Sequence, residues 1–516
     1  MSEQVAGDDL EASHEPWGRL SARMILADLL RTVLSLTPAG IAILVVGVDP
    51  SWGTLWPVVL IAVWGIIGAV ADVMRWAVTR YRVTEHEVQR RTGIVTRRYR
   101  SVRRDRIRSV DTSARLLHRI AGLRVVSIGA GQQNTAGESA FLLDALAVAD
   151  ATQLQDRLLR SSPVASDGDG PGGDAAPDED TQVIATLQWR WVPYNMVTLS
   201  SYLFAVGLLW GGYWFLTMFG VDPAPWVWNT LNPDGRGWLA ATLIALVVVG
   251  VIGATGMAAA FVTGYWKFEL ARTRSAGGSH LRTRRGLLST REVTRDESRV
   301  RGLTISEPLL WRWMAMADTN VVTTGLGLWS SAQPSALVPR GPLSVARLVS
   351  AEVLGDPDPL RQPLRPHPSQ ALRRRLWWAT LAGAGALALV AWPVWSGAAP
   401  AWLLWCALGV WPLALVGAVI AYRALGHALV GEYLVVRSGL TSRHHTALRR
   451  DAVSTIAVRQ SVLQRRLGLA SVGAMTSAGW FTYQAPDLHA AEAVDFATAA
   501  APGLLGPYRT PAAERA

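Results

Sequence analysis

RTGIVTRRYRSVRRDRIRSVDTSARLLHRIAGLRVVSI, residues 91–128, decides the fold because the chain repeats it twice without a gap. The second copy, RRGLLSTREVTRDESRVRGLTISEPLLWRWMAMADTNVV, starts at Arg284. The third, RSGLTSRHHTALRRDAVSTIAVRQSVLQRRLGLASVG, starts at Arg437. Gly93, Gly286 and Gly439 coincide, as do Ile107, Val300 and Val453. Leu117, Leu310 and Leu463 also align, and so do Arg119, Arg312 and Arg465. Agreement of a glycine turn and an apolar pattern over this length marks a tandem array of one structural unit.

Each copy follows a pair of apolar stretches, each able to cross ~30 Å of hydrocarbon with ~20 residues. The pairs are Thr32–Val48 with Leu55–Val78, Met196–Phe219 with Trp238–Val262, and Trp377–Trp395 with Ala401–Tyr422. Half of the 516 residues are hydrophobic and 24 are Trp, a composition and clustering that fit a membrane protein. Several Trp, among them Trp52, Trp56, Trp226, Trp228, Trp377 and Trp378, stand at span ends as an interfacial belt would. The net charge of +11 is almost wholly arginine and gathers after each hairpin, while the loops inside the hairpins hold only Arg236. Positive charge stays inside, so both termini and all three repeats are expected in the cytoplasm, below the plasma membrane. Cys406, the one cysteine, excludes a disulfide framework and a thiolate metal site.

Within a repeat the pattern is β. Tyr81-Arg82-Val83-Thr84 and Glu87-Val88-Gln89-Arg90-Arg91 alternate, and Gly93 turns the chain. A short amphipathic turn at 115–120 leads to further strands at 123–128 and 140–143. Asp144–Arg160, Pro342–Leu354 and Pro486–Ala500 read as closing helices. The expected fold class is an α+β membrane protein. It has three transmembrane helical hairpins, each followed by a small bent sheet or partly closed barrel with a C-terminal helix. The expected segments are a cytoplasmic tail at 1–30, hairpin 31–78, domain 79–160 and a disordered acidic linker at 161–187. Hairpin 188–264, domain 265–354 and a Pro-rich linker at 355–371 follow, then hairpin 372–422, domain 423–501 and a tail at 502–516.

Tyr81-Arg82-Val83-Thr84, Arg91-Thr92-Gly93, Asp105-Arg106-Ile107 with Val110, and Leu116-Leu117-His118-Arg119 with Gly122-Leu123 follow a membrane hairpin in this order. That order resembles the bacterial pleckstrin-homology family, and more narrowly its YdbT-like membrane-flanked domain proteins. The third copy keeps Arg437-Ser438-Gly439 and Leu463-Gln464-Arg465-Arg466-Leu467-Gly468-Leu469. The second departs furthest, with Ala315 and Met316 at the Gly-Leu step. The resemblance implies a PH-like barrel with a C-terminal helix in each repeat. It implies little about function, because that fold hosts many recognition tasks.

Candidate lipid- or partner-binding residues are Arg97, Arg98, Arg100, Arg103 and Arg104 in the first repeat, and Arg443, Arg449 and Arg450 in the third. Such a basic face meets anionic headgroups with ~1 kcal/mol per arginine. Arg119, Arg312 and Arg465 read instead as structural, stem packed and head tying a loop. The leucines beside them read as core. His444-His445 lacks further ligands at metal spacing. No nucleophile elbow, matched carboxylate pair or H-E-x-x-H helix occurs, so neither an enzyme nor a cofactor is expected. Aromatic residues are not interleaved with the arginines, which speaks against nucleic acid. The expected work is non-catalytic: recognition of lipid headgroups or protein partners, self-association, or scaffolding at the inner membrane face. The alternative is a transporter or export accessory that uses the six helices as a pathway. The apolar mid-span runs argue against it.

Overall fold

The computed structural model describes residues 17–504 apart from 45–51, 85, 94–96, 105–106, 108, 130–139, 160–179, 197, 219, 276–277, 324–335, 356–357 and 477–481. The chain divides into two compact units, Met1–Ser298 and Arg299–Ala516. The division falls inside the second repeat, not in either linker.

In the first unit, β1 (Gly18–Arg19), β2 (Arg80–Val83), β3 (Glu87–Thr92) and β4 (Arg98–Arg103) form an antiparallel sheet in that order. β5 (Ser109–Ala114), β6 (Leu123–Gly129) and β7 (Ala140–Ala147) form a second set. They do not stand alone. β5 pairs with β11 (Thr290–Asp296) of the second repeat, whose β8 (Asp180–Thr186), β9 (Glu269–Ser275) and β10 (Gly278–Arg285) complete a seven-stranded sheet ordered β7-β6-β5-β11-β10-β9-β8. The first repeat's core lies between its two sets of strands: Val88 and Val110 are wholly buried with Val126, Ile128 and Leu143. Helix Val148–Leu159 covers it through Ala151, Leu154 and Leu158.

The second unit repeats the device. β12 (Val300–Pro308), β13 (Met316–Thr323) and β14 (Ala336–Pro342) continue through a β12–β17 pairing into β15 (Gly426–Val430), β16 (Tyr433–Ser438) and β17 (Ser442–Arg449). β18 (Thr455–Arg459), β19 (Leu469–Met475) and β20 (Thr482–His489) make a separate three-stranded sheet. Helix Ala490–Ala500 closes this core through the buried Ala493, Ala497 and Ala500, with Phe496 packed beside them. Ile107, Val300 and Val453, aligned by sequence, are 7%, 6% and 7% exposed, so the shared apolar step is the same core position three times.

Five described helices are long and apolar enough to cross a membrane: Val59–Val78, Ser200–Met218, Trp238–Tyr265, Ser369–Trp395 and Trp402–Arg423. Their outer faces are apolar. Trp64 is 74% exposed and Leu389 78%, a surface that water would not tolerate and hydrocarbon would. The chain is therefore membrane-associated. The span expected at Thr32–Val48 falls on helix Arg23–Leu44, which begins earlier, and its far end lies outside the described residues.

Three expectations need correction. The strand that opens each sheet precedes the hairpin: β1 pairs with β2, β8 with β9, and Arg365 bridges His427. The helices are thus inserted between two neighbouring strands, and Asp180–Thr186 is strand rather than disordered linker. The first-repeat closing helix begins at Val148 rather than Asp144, and the third at Ala490 rather than Pro486, because β7 and β20 run on through a bulge. Among the described residues a seven-stranded and a six-stranded sheet are each shared between neighbouring repeats, where each repeat was expected to build its own.

Candidate functional site

The glycine turn is the point where sheet and membrane helix meet. Gly286 and Gly439 have φ of 108° and 122°, and a Cβ there would lie 1.9 Å and 1.8 Å from the carbonyl oxygens of Ser289 and Ser442. Only glycine fits. Gly286 N donates to Trp266 O at 3.0 Å and Leu287 N to Thr263 O at 2.8 Å, clamping the turn to the end of helix Trp238–Tyr265. In the third repeat, Leu440 of the turn lies against Gly417 of helix Trp402–Arg423.

The arginine cluster of the first repeat is not one surface. Strand alternation puts Arg98, Arg100 and Val102 on one face of β4, and Tyr99, Ser101 and Arg103 on the other. Val102 packs on the core and Arg100 stands opposite Arg90. Arg97, Arg98 and Arg103 are exposed, whereas Arg104 donates to the carbonyl of Arg157. The third-repeat candidates work inside the fold. Arg443 Nη2 reaches Glu307 at 2.5 Å, Arg449 Nη2 reaches Asp451 at 2.7 Å, and Arg450 Nη2 donates to Ala499 O at 2.5 Å.

Of the aligned arginines, Arg119 Nη1 donates to Leu287 O at 3.1 Å, tying the first repeat to the glycine turn of the second. Arg312 is half-buried and Arg465 exposed. Leu117 and Leu463, on five-residue helices before β6 and β19, are half-buried rather than core; the Leu310 side chain lies outside the described residues. The wholly buried leucines are Leu123 and Leu469, and Met316, 1% exposed, fills the same slot in the second copy. Ala315 also keeps its repeat's geometry, with φ 51° where Gly122 and Gly468 have 68° and 66°. A left-handed alanine is strained, so Ala315→Gly is expected to stabilise the second unit by about 1 kcal/mol in denaturant unfolding.

Sequence reasoning missed two features. One is the pair of junctions between repeats. Asp111 of β5, 2% exposed, accepts from Arg291 Nε at 2.9 Å, with the equally buried Arg295 across the strand. Burial pushes the Asp111 carboxyl up to about 6 although two guanidiniums face it. At the other junction Thr304 and Thr446 hydroxyls meet at 2.9 Å, and Ser306 and Ser442 at 2.7 Å. No aligned carboxylate signals either junction, since Asp111 falls opposite Thr304 in the repeat and Glu307 opposite Ala114.

The other feature is a cleft of about 730 Å³ in the second unit. Arg347, Arg361, Arg437 and Arg443 line it together with Glu307, and Asp358 pairs with Arg361 at 3.5 Å. Arg437 donates from Nε to Ala424 O at 3.1 Å, directly after helix Trp402–Arg423, so the cleft opens where that helix ends. Burial, and then the Arg443 guanidinium, draw Arg437 below the usual arginine range. Arg443 Nε and His445 Nε2 are buried without a hydrogen-bond partner among the described residues. Burial first, then Arg437 and Arg443, push His445 down to about 3, so its ring is neutral. Sixty residues apart in sequence, His367 and His427 bring their ring nitrogens to 3.2 Å, and burial pushes His427 down to about 4. Neither pair makes a metal centre: among the described residues no three His, Cys, Asp or Glu side chains gather.

The family model of the bacterial PH domain matches residues 30–162 and 379–501, the first and third repeats with their helices; the second repeat lies outside both matches. No curated protein and no solved structure matches the chain.

Proposed function

Because the chain carries bacterial PH domains together with helices able to cross a membrane, we propose that it is a membrane-anchored, non-catalytic recognition protein. Its domains lie at the cytoplasmic face of the plasma membrane and bind anionic lipid headgroups and protein partners. The hairpin beside each repeat favours the YdbT-like branch of that family. One observation carries the lipid reading: four arginines line a cleft at the end of a membrane helix, against Glu307 and, beside Arg361, Asp358, and Arg443 Nε and His445 Nε2 are buried there without a partner among the described residues. A phosphate at headgroup depth would satisfy that arrangement.

Arg347 stands on the closing helix Leu343–Leu354, and Arg361 pairs with Asp358 three residues away at 3.5 Å; neither belongs to a strand, so replacing both with Gln should leave the sheet pairing in place. At ~1 kcal/mol per arginine, retention of anionic lipid should fall roughly thirtyfold. Native mass spectrometry of the full chain, extracted from mixed zwitterionic and anionic membranes, reads this directly. Raised salt should weaken the native chain's retention as screening requires. Equal retention by native and substituted chains would remove the cleft as a headgroup site.

A further inference from the structure

The two junctions between repeats are one interface built twice. Counted along the repeat, Asp111 opposite Val293 is the same step as Thr304 opposite Thr446, and Ser113 opposite Arg291 the same as Ser306 opposite His444. Each junction sets a carboxylate of the earlier strand on an arginine of the later one, Asp111 on Arg291 and Glu307 on Arg443. The same two strand types recur at the ends of the array, where they have no such neighbour among the described residues. β4 is the edge of its four-stranded sheet, and β18 the edge of its three-stranded one. An open edge presents backbone donors and acceptors to any strand that fits.

The two open edges do not suit each other. In the shared register Ala457 of β18 would face Arg100 of β4, and Arg459 would face Arg98. Like charges directly opposite are destabilising. Yet β4 and the residue just before it carry what the later strand of each internal junction carries. Arg97 occupies the aligned place of Arg443 and Arg98 that of Arg291, and both are exposed.

We propose that β4 is a docking edge for an acidic strand of another protein. The strand adds antiparallel in the register of the internal junctions and sets its carboxylates on Arg97 and Arg98. Backbone pairing supplies the affinity and the carboxylates the selection, as in strand addition generally. The proposal shares with the recognition reading only the premise that this protein binds partners; it is independent of the lipid cleft.

The partner being unidentified, the probe is this chain's own β18, remade as an acidic strand by Ala457→Asp with Arg459→Glu. Cysteines at Ser101 and Ile456, opposed in the same register, report the contact as an intermolecular disulfide between full-length chains in one membrane, in a Cys406→Ala background. The native edge should give little disulfide and the acidic edge severalfold more, and Arg97→Glu with Arg98→Glu should abolish the gain. Arg459→Glu alone, at an exposed position, gives the same test should the double change disturb the sheet. No gain with either acidic edge overturns the proposal, as does a native edge that already crosslinks fully, which would make the occupant a second copy. In native membranes a photocrosslinker at Ser101 should then capture a different chain through an Asp- or Glu-bearing strand. Capture of residues 1–16 of the same chain, or of lipid, overturns it, while the outcome at Arg347 and Arg361 is unaffected either way.

Discussion

Asp111→Ala is expected to lower the stability of the first unit by about 3–5 kcal/mol, because it leaves Arg291 and the buried Arg295 without the carboxylate between them. The loss should cross the repeat boundary. Hydrogen exchange should quicken in Ser109–Ala114 and, as strongly, in Thr290–Asp296, although the two strands belong to different repeats. Faster exchange in β5 alone would mean that the shared sheet is not cooperative. The raised carboxyl pKa sharpens the expectation. Burial outweighs the guanidiniums, so the ion pair specifies which strands meet more than it stabilises them. Replacing Asp111, Arg291 and Arg295 together by Val, Val and Leu should therefore recover most of the loss, as buried ion networks replaced by apolar residues do.

Asp487→Ala carries a comparable expectation in the second unit. Asp487 is wholly buried, with φ 63° in the bulge of β20. Its carboxylate takes Arg374, Arg375 at 3.1 Å and Gln464 Nε2 at 2.8 Å. Arg374 and Arg375 stand in the opening turns of the membrane helix Ser369–Trp395, and Gln464 in the short helix before β19. One carboxylate thus ties the membrane anchor to the third domain. Its removal should cost about 3–5 kcal/mol, with limited proteolysis newly entering the 366–376 segment. Asp487→Asn keeps an acceptor and tolerates the left-handed backbone, so its loss should be smaller. An Asn variant as stable as the native chain would show that shape rather than charge holds the two together.

The glycine turns, the recurring apolar step at Ile107, Val300 and Val453, and the arginine-rich strands were legible in the sequence because they depend on neighbours a few residues away. Leu117 and Leu463 looked like core on the same local pattern, but each stands on a five-residue helix that leaves it half-buried, and the wholly buried leucines are Leu123 and Leu469 at the start of the following strands. β1 and β8 were missed because their partners lie beyond a whole membrane hairpin, and Gly18–Arg19 is too short to show alternation. The junctions were missed for a related reason. Asp111 and Arg291 are 180 residues apart, and nothing in either strand names the other. The cleft joins Arg347 of a closing helix and Arg361 of a Pro-rich stretch to two strand arginines, a meeting that only the folded sheet produces.

Threading the helices between paired strands fixes an order of events during synthesis. β8 leaves the ribosome before its hairpin and can pair with β9 only after both helices have entered the membrane, so sheet closure reports completed insertion. β5 waits longer still. At 5–20 residues per second, the 180 residues to Arg291 take roughly 10–40 s. Through that interval the nascent first domain exposes an unpaired strand with a buried-type aspartate. A chaperone or a stalled translocation machinery would meet it in that form, and a chain truncated after the first repeat should aggregate where the full array does not.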